Sequence, residues 1–380
     1  MNSPMVLLYL FANAKARQQP TSGKTPSSQR FSFYGLDAFS LSSEHTVLDT
    51  LNDEAALETH RRGKIIDALC NGILHYVGGS GGSWYKLWRM RKAMSQSDTV
   101  VATADRVGIP LVLLSYFHLI PKRRIVYVSI GLPERLQTLK PFFRRLYLNA
   151  FHHVTDEVIC YGHKEHLLLQ HDLGLQKPRV WFVPFGVDTN TLIPQDPSTG
   201  QTIVCVGADP HRDFHSLFIL AERHPMTPFL VITSRAHQRK WKRLKVSIPT
   251  NVTLQYDLPF VETMEAVSQS KFVVLPVFEN SYSGATTTLL QAMALGKAVI
   301  VTKTGAIADG YHLAHEQNVL FVPPEDIEAL DVAFTRLSTD PALRMALGAA
   351  ARETVARHLN WQRYSHQMYS IITGHQTSPH

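Results

Sequence analysis

The chain's apolar residues fall into short dense runs, separated by longer stretches in which they recur every three or four positions. The first pattern is that of strands buried on both faces, the second that of helices with one buried side. Residues 271–302 show both. KFVVLP (271–276) and AVIVT (298–302) read as strands, and between them Ala285, Leu289, Ala292 and Met293 share one helical face. Ser283 and Gly284 supply a helix start signal, and Gly296 supplies the stop. Such a unit opens its helix at the carboxyl edge of a parallel sheet, where these sheets bind ligands. The first amides, at Gly284, Ala285 and Thr286, with the hydroxyls of Ser283, Thr286 and Thr287, suit a phosphate or diphosphate. A capped helix without a ligand is the plainer reading of the same stretch.

The alternation extends over the whole chain. Strands are expected at 5–10, 46–51, 99–103, 125–129, 157–160 and 179–183, with helices at 31–39, 55–69, 107–119, 140–153 and 164–171. A polar loop spans 13–29, and HYVGGSGGSW (75–84) is a Gly-rich turn or a place of close backbone approach. PFGVDTNTLIPQDPSTG (184–200), rich in turn formers, reads as a linker. Strands then follow at 202–206, 229–233, 251–255, 271–276, 298–302 and 319–322. Helices are expected at 213–222, 236–245, 261–269, 327–337, 341–357 and 361–373. The fold class is α/β, with two doubly wound domains at 1–190 and 195–358 and a closing helix at 360–374.

Composition narrows the function classes. A chain of 380 residues suits two cores, and no window approaches the roughly 18 apolar residues of a membrane span. The apolar run 5–12 lacks a basic region ahead of it, so it reads as a first strand and not a signal peptide. Cys70, Cys160 and Cys205 are too scattered for a disulfide framework or a zinc site, which fits a reducing cytoplasm. The formal charge of +7 sits in the first half, where residues 1–190 carry 22 Lys+Arg against 15 Asp+Glu; residues 191–380 carry 16 of each. A basic half can meet an anionic membrane surface, for instance on the inner membrane face, or an acidic acceptor. KPFFRRLYLNAFHH (140–153) either lies on such a surface or packs its aromatics inward. Nucleic acid is not expected, because basic residues interleaved with aromatic platforms are missing.

LPVFENSYSGATTTLLQAMALGKAVIVTKTGAIADGYHLAHEQNVLFVPPEDIEALDVAF, with PFGVDTNTLIP ahead and LGAAARETVARHLNWQRY behind, resembles the retaining glycosyltransferases of family 4. The likeness is strong over about residues 180–364 and weak before 127, and LLQAMALGKAVIVT and FVPPED are its most specific parts. It implies the GT-B architecture: an acceptor-side domain, a nucleotide-sugar domain, a cleft between them, and a last helix crossing back, here 361–373.

Residue by residue, VGADPHRDF (206–214) stands where the family has a Gly, then an Arg and a Lys on the donor diphosphate. Ala208 replaces the Arg, and Arg212 falls near the Lys, so Arg212 is the expected charge partner of the leaving group. Asp213 reads as a helix cap. The family's two glutamates, seven residues apart, align with Ser283 and Gln291. Gln291 can still bond a ribose hydroxyl; Ser283 cannot act as a carboxylate toward the sugar, and Glu279 lies four residues earlier. SGATTTLLQAMA resembles a variant block within similar enzymes.

The resemblance implies metal-independent transfer of a hexose from a nucleotide-diphosphate sugar, UDP-sugar favoured, with retention at the donor carbon and no cofactor. No Asp-x-Asp pair occurs. The acceptor is a glycan, a lipid-linked molecule or a small molecule. Gly131, Arg135 and His163, with His166, are expected at the cleft on the acceptor side. The competing class is a GT-B scaffold that only binds a sugar nucleotide or a protein partner.

Overall fold

The computed structural model describes residues 4–15, 27–39, 44–79, 81–172, 180–195, 200–282, 284–307 and 309–374. Ser283 and most of the 13–29 loop lie outside them. The densest apolar runs become twelve short strands: β1 (Met5–Leu10), β2 (His45–Leu48), β3 (Thr99–Ala102), β4 (Arg124–Ser129), β5 (Glu157–Cys160), β6 (Val180–Phe182), β7 (Ile203–Val206), β8 (Phe229–Thr233), β9 (Val252–Tyr256), β10 (Phe272–Leu275), β11 (Val299–Thr302) and β12 (Leu320–Val322). The first six form one sheet in the order β2-β1-β3-β4-β5-β6. The last six form a second in the order β12-β11-β10-β7-β8-β9.

Neighbouring strands within each sheet run parallel, with Leu7 opposite Thr99 in one and Ile300 opposite Leu320 in the other. Buried Val, Ile and Leu fill the inner strands because helices cover both faces, while the edge strands β2 and β9 are only partly covered. Strand order reverses between β1 and β3 in the first sheet and between β7 and β10 in the second. At such a switch point neighbouring connections leave in opposite directions and open a crevice at the carboxyl ends.

Each sheet belongs to its own compact unit. One holds β1, Arg30–Val183 and residues 365–374; the other holds Pro184–Tyr364. The described part of the expected linker 184–200 is packed within the second unit. Val187 receives the Trp361 amide at 2.9 Å and donates its own to Leu359, and the Arg352 guanidinium holds the carbonyls of Thr189 and Leu192. Proline there breaks periodicity without loosening the chain. The closing helix Trp361–Thr373 packs up to Tyr364 in the second unit and from Ser365 in the first, where the Arg124 guanidinium caps the carbonyls of Ile371 and Ile372.

Several local expectations change, and one alternative is decided. The helix expected at 31–39 is two 3-10 segments, Ser27–Phe33 and Leu36–Ala38. The helix expected at 55–69 is two, Leu51–Thr59 and Arg61–Tyr76, divided at His60, whose backbone is extended. The helix expected at 140–153, observed as Pro141–Val154, buries Tyr147 and Phe151 in the core and leaves Phe142 outside. The helix after β10 begins at Thr286, with Ala285 in the left-handed region (φ 66°) at the N-cap position and no side-chain cap. The expected start signal at Ser283 lies outside the described residues. Among the described residues no helix is long and apolar enough to cross a membrane.

The chain leaving β1 is pinned from below by a buried charge cluster. Lys86 Nζ donates to the Phe11 carbonyl at 2.6 Å and to Glu58 at 2.8 Å, and stands 3.3 Å from Glu54. Glu54 accepts the Phe11 amide and Glu58 the Ala14 amide. Burial pushes Glu54 up to about 7. At Glu58 burial is outweighed by the Lys86 and Ala14 hydrogen bonds, and the carboxyl lies below its usual range.

Candidate functional site

The switch point of the second sheet carries the strongest candidate. β7 ends at Val206, and the chain turns through Gly207 and Asp209 to Arg212, which forms a bridge with Val277 just beyond β10. Two backbone bonds fasten the loops together: the Asp213 amide donates to the Pro276 carbonyl at 3.0 Å and the Phe278 amide to the His211 carbonyl at 2.9 Å. Asp213 then caps the helix Phe214–Arg223 by accepting the Ser216 amide, as its position in the sequence suggests.

Arg212 is only 5% exposed. Its Nε donates to Asp209 at 2.8 Å and its Nη2 to the Thr288 hydroxyl at 3.2 Å, while Nη1 is buried with no protein partner. The side chain lies across Gly207, where a Cβ would stand 2.0 Å from Nε. Only glycine admits the guanidinium there. A buried guanidinium with one unsatisfied nitrogen is costly unless an anion completes its bonding.

The loop after β10 supplies the facing wall. Gly284, Ala285, Thr286 and Gln291 are buried, and Thr287 is partly exposed. The first amides of the helix Thr286–Ala294 have no partner within the helix and carry its positive dipole end. The hydroxyl of Thr286, the amide oxygen of Asn280 and the hydroxyl of Thr304 are likewise buried without partners at this edge. Gln291 follows Thr287 by one turn on the same side of the helix. Glu279 is exposed, with its carboxylate accepting the Gly305 amide at 3.1 Å. Arg212 and the 284–287 loop are thus brought together with Gly207, where the resemblance expects a Gly, and Asp209, Thr288, Asn280 and Thr304 join them without having been expected. Gly207 and Asp209 sit inside the VGADPHRDF stretch; Thr288 had no separate signal.

The carboxyl edge of the first sheet holds the other expected residues. Gly131 (φ 84°) precedes the helix Leu132–Gln137 and donates its amide to Glu165 at 2.8 Å. Glu165 also accepts from the Ser129 hydroxyl at 2.6 Å. Arg135 Nε pairs with Asp105 at 3.0 Å, and Asp105 accepts the Tyr127 hydroxyl at 2.6 Å. His163 packs edge-on against Phe182 at 5.5 Å. Burial pushes Asp105 up to about 6, against the pull of Arg135, and Glu165 up to about 8, where the nearby Asp105 charge adds to desolvation against the Ser129, Gly131 and Leu132 hydrogen bonds. Gly131 and Arg135 therefore serve this buried carboxyl pair, which the sequence did not signal.

Among the described residues no group of three or more His, Cys, Asp or Glu side chains is placed to hold a metal ion.

Residues 200–340 match the family model described as Glycosyl transferases group 1. By sequence, no curated protein matches the chain. Among solved structures, HepE of Anabaena in complex with UDP and glucose superposes with a TM-score of 0.69 at 12% identity, over 97% of this chain and 100% of that one. Sucrose-phosphate synthase from Thermosynechococcus elongatus gives 0.61 at 18% identity, over 77% and 78%. Trehalose-6-phosphate synthase gives 0.64 at 13% identity, over 99% and 100%. The fold is GT-B, with two Rossmann-like domains, and its second unit carries the sequence pattern of the group 1 glycosyl transferases across the Arg212 site.

Proposed function

We propose that the chain is a hexosyltransferase that takes its sugar from a UDP-sugar, with retention at the donor carbon and without a metal. The observation that carries this reading is Arg212, buried at the switch point beside a helix N-terminus and with Nη1 unsatisfied. As the bond from the anomeric carbon to the β-phosphate oxygen breaks, negative charge grows on the diphosphate. Arg212 Nη1 and the Ala285–Thr287 amides are fixed donors for that charge, and donors oriented in advance lower the barrier most. The acceptor oxygen forms the new bond to the same carbon, and its proton passes to the departing phosphate oxygen, so no protein carboxylate is required as base. HepE binds UDP and UDP-glucose, which favours uridine as the base. The acceptor is a glycan, a lipid-linked molecule or a small molecule.

The test is nucleotide release from UDP-, GDP-, ADP- and TDP-sugars by the purified protein, with the anomeric configuration of any product read by NMR. UDP release unaffected by EDTA, with retained configuration, is the expected result. Release only with added divalent metal, or an inverted product, would overturn the corresponding part. Ser283 and Gln291 in place of two glutamates favour one rival, a scaffold that binds the nucleotide sugar without cleaving it. That rival predicts a UDP-sugar-dependent rise in melting temperature with no release under any acceptor. Gly207→Ala is expected to displace the guanidinium from Thr288 and to slow release by roughly tenfold while far-UV circular dichroism stays unchanged.

A further inference from the structure

The helix Arg61–Tyr76 is turned inside out. Three of its small or polar residues face the protein: Gly63 lies against the Tyr85 ring, Asp67 accepts the Tyr85 amide at 2.8 Å, and Asn71 accepts the Gly82 amide at 2.8 Å and the Trp84 indole N–H at 3.1 Å. A Cβ at Gly63 would stand 2.5 Å from the Tyr85 ring, so the helix is held close and its rotation is set. Leu74 packs toward the core, and the larger apolar residues Ile65, Leu69, Ile73 and Tyr76 line the other side. Ile65 is 55% exposed, Leu69 66%, Ile73 71% and Tyr76 80%, and their spacing of four, four and three makes one continuous ridge.

The ridge continues onto the next element and is flanked by positive charge. Lys140 Nζ sits 4.5 Å above the Tyr76 ring, and the Lys140 amide donates to the Val77 carbonyl. Two residues on, Phe142 is 73% exposed. Arg61, Arg62, Lys64, Lys140 and Arg145 are exposed along these two helices. The only acid in either helix is Asp67, which is turned inward.

We propose that this face seats the protein on an anionic lipid bilayer, with Ile65, Leu69, Ile73, Tyr76 and Phe142 entering the boundary between headgroups and acyl chains. An apolar ridge with basic flanks matches that boundary in both depth and charge. A second copy of the chain fits worse, since a two-fold contact would set the five cations against their own counterparts. The face is not the surface alternative considered for residues 140–153, most of whose aromatics point inward as the packing alternative expects; the ridge lies on a helix whose outward side only the structure reveals. The proposal does not depend on which sugar is transferred.

The experiment is flotation of the full chain with vesicles of equal phosphatidylglycerol and phosphatidylcholine, and with phosphatidylcholine alone, at about 0.1 M salt. Binding to the anionic vesicles, weakening with salt, is expected. Leu69→Glu with Ile73→Glu, at positions too exposed to disturb the core, should weaken it by about tenfold or more. Arg61→Glu with Arg62→Glu should weaken it less and remove part of the salt dependence. Failure of the native chain to float with anionic vesicles, or undiminished binding by the Leu69/Ile73 variant, would overturn the proposal. So would a native dimer that this variant converts to monomer in sedimentation, which would assign the face to self-association.

Discussion

Arg212→Ala is expected to slow UDP-sugar cleavage by about 10²–10³-fold, the range seen when a single oriented donor to a developing oxyanion is removed. The loss should fall on kcat more than on KM, because Nη1 meets its largest charge as the leaving group departs. Folding should change little, since the partner left behind, Asp209, is about one third exposed and can be hydrated. Arg212→Lys keeps the charge but cannot span Asp209 and Thr288 together, so an intermediate rate is expected. Single-turnover release by the three proteins with saturating UDP-sugar is the measurement. A threefold or smaller loss in Arg212→Ala would move the charge-stabilising role to the helix amides alone.

The inner strands and the helix after β10 were legible because their burial is nearly complete, and complete burial leaves dense or periodic apolar runs. Arg212 was legible through family likeness, and its position beside a phosphate-suited loop agreed with the sheet's topology. What holds Arg212 was not legible. Thr288 lies 76 positions away, and the clearance over Gly207 exists only once the guanidinium has been laid across it. The entry to this helix was not legible either: cap preference describes a residue in extended backbone, whereas the loop enters through a left-handed Ala285.

The helix Arg61–Tyr76 illustrates a further limit. Periodicity reveals that a helix has an apolar side but not which way that side faces, and here Asp67 and Asn71 claim the inward direction by hydrogen bonding to the backbone of residues 82–85. The Asp105–Glu165 pair is similar. Its members sit 60 positions apart and meet because β3, β4 and β5 run parallel and deliver their following loops to one edge. Nothing in a linear pattern marks a carboxyl that will be buried without a cation.

That burial gives the first unit a pH dependence of defined sign. Glu165 titrates near 4.5 when unfolded and near 8 when folded, so between those values the folded state holds one more proton than the unfolded state. Stability is then fully present below about 4.5 and declines as pH rises toward 8, by an amount on the order of 4–5 kcal/mol for the whole shift. Asp105, raised to about 6, and Glu54, raised to about 7, act in the same direction over their lower windows. Glu165→Gln preserves the acceptor for Ser129, Gly131 and Leu132 and removes the ionisation. It should therefore match the native chain at pH 5 and exceed it at pH 8.5. Hydrogen exchange of β3–β5 peptides, corrected for the intrinsic rate at each pH, reads this unit separately from the other. Parallel native and Glu165→Gln profiles from pH 5 to 8.5 would mean that Glu165 is ionised in the folded state, with its charge held by the Gly131 and Leu132 amides as an anion is held at a helix N-terminus.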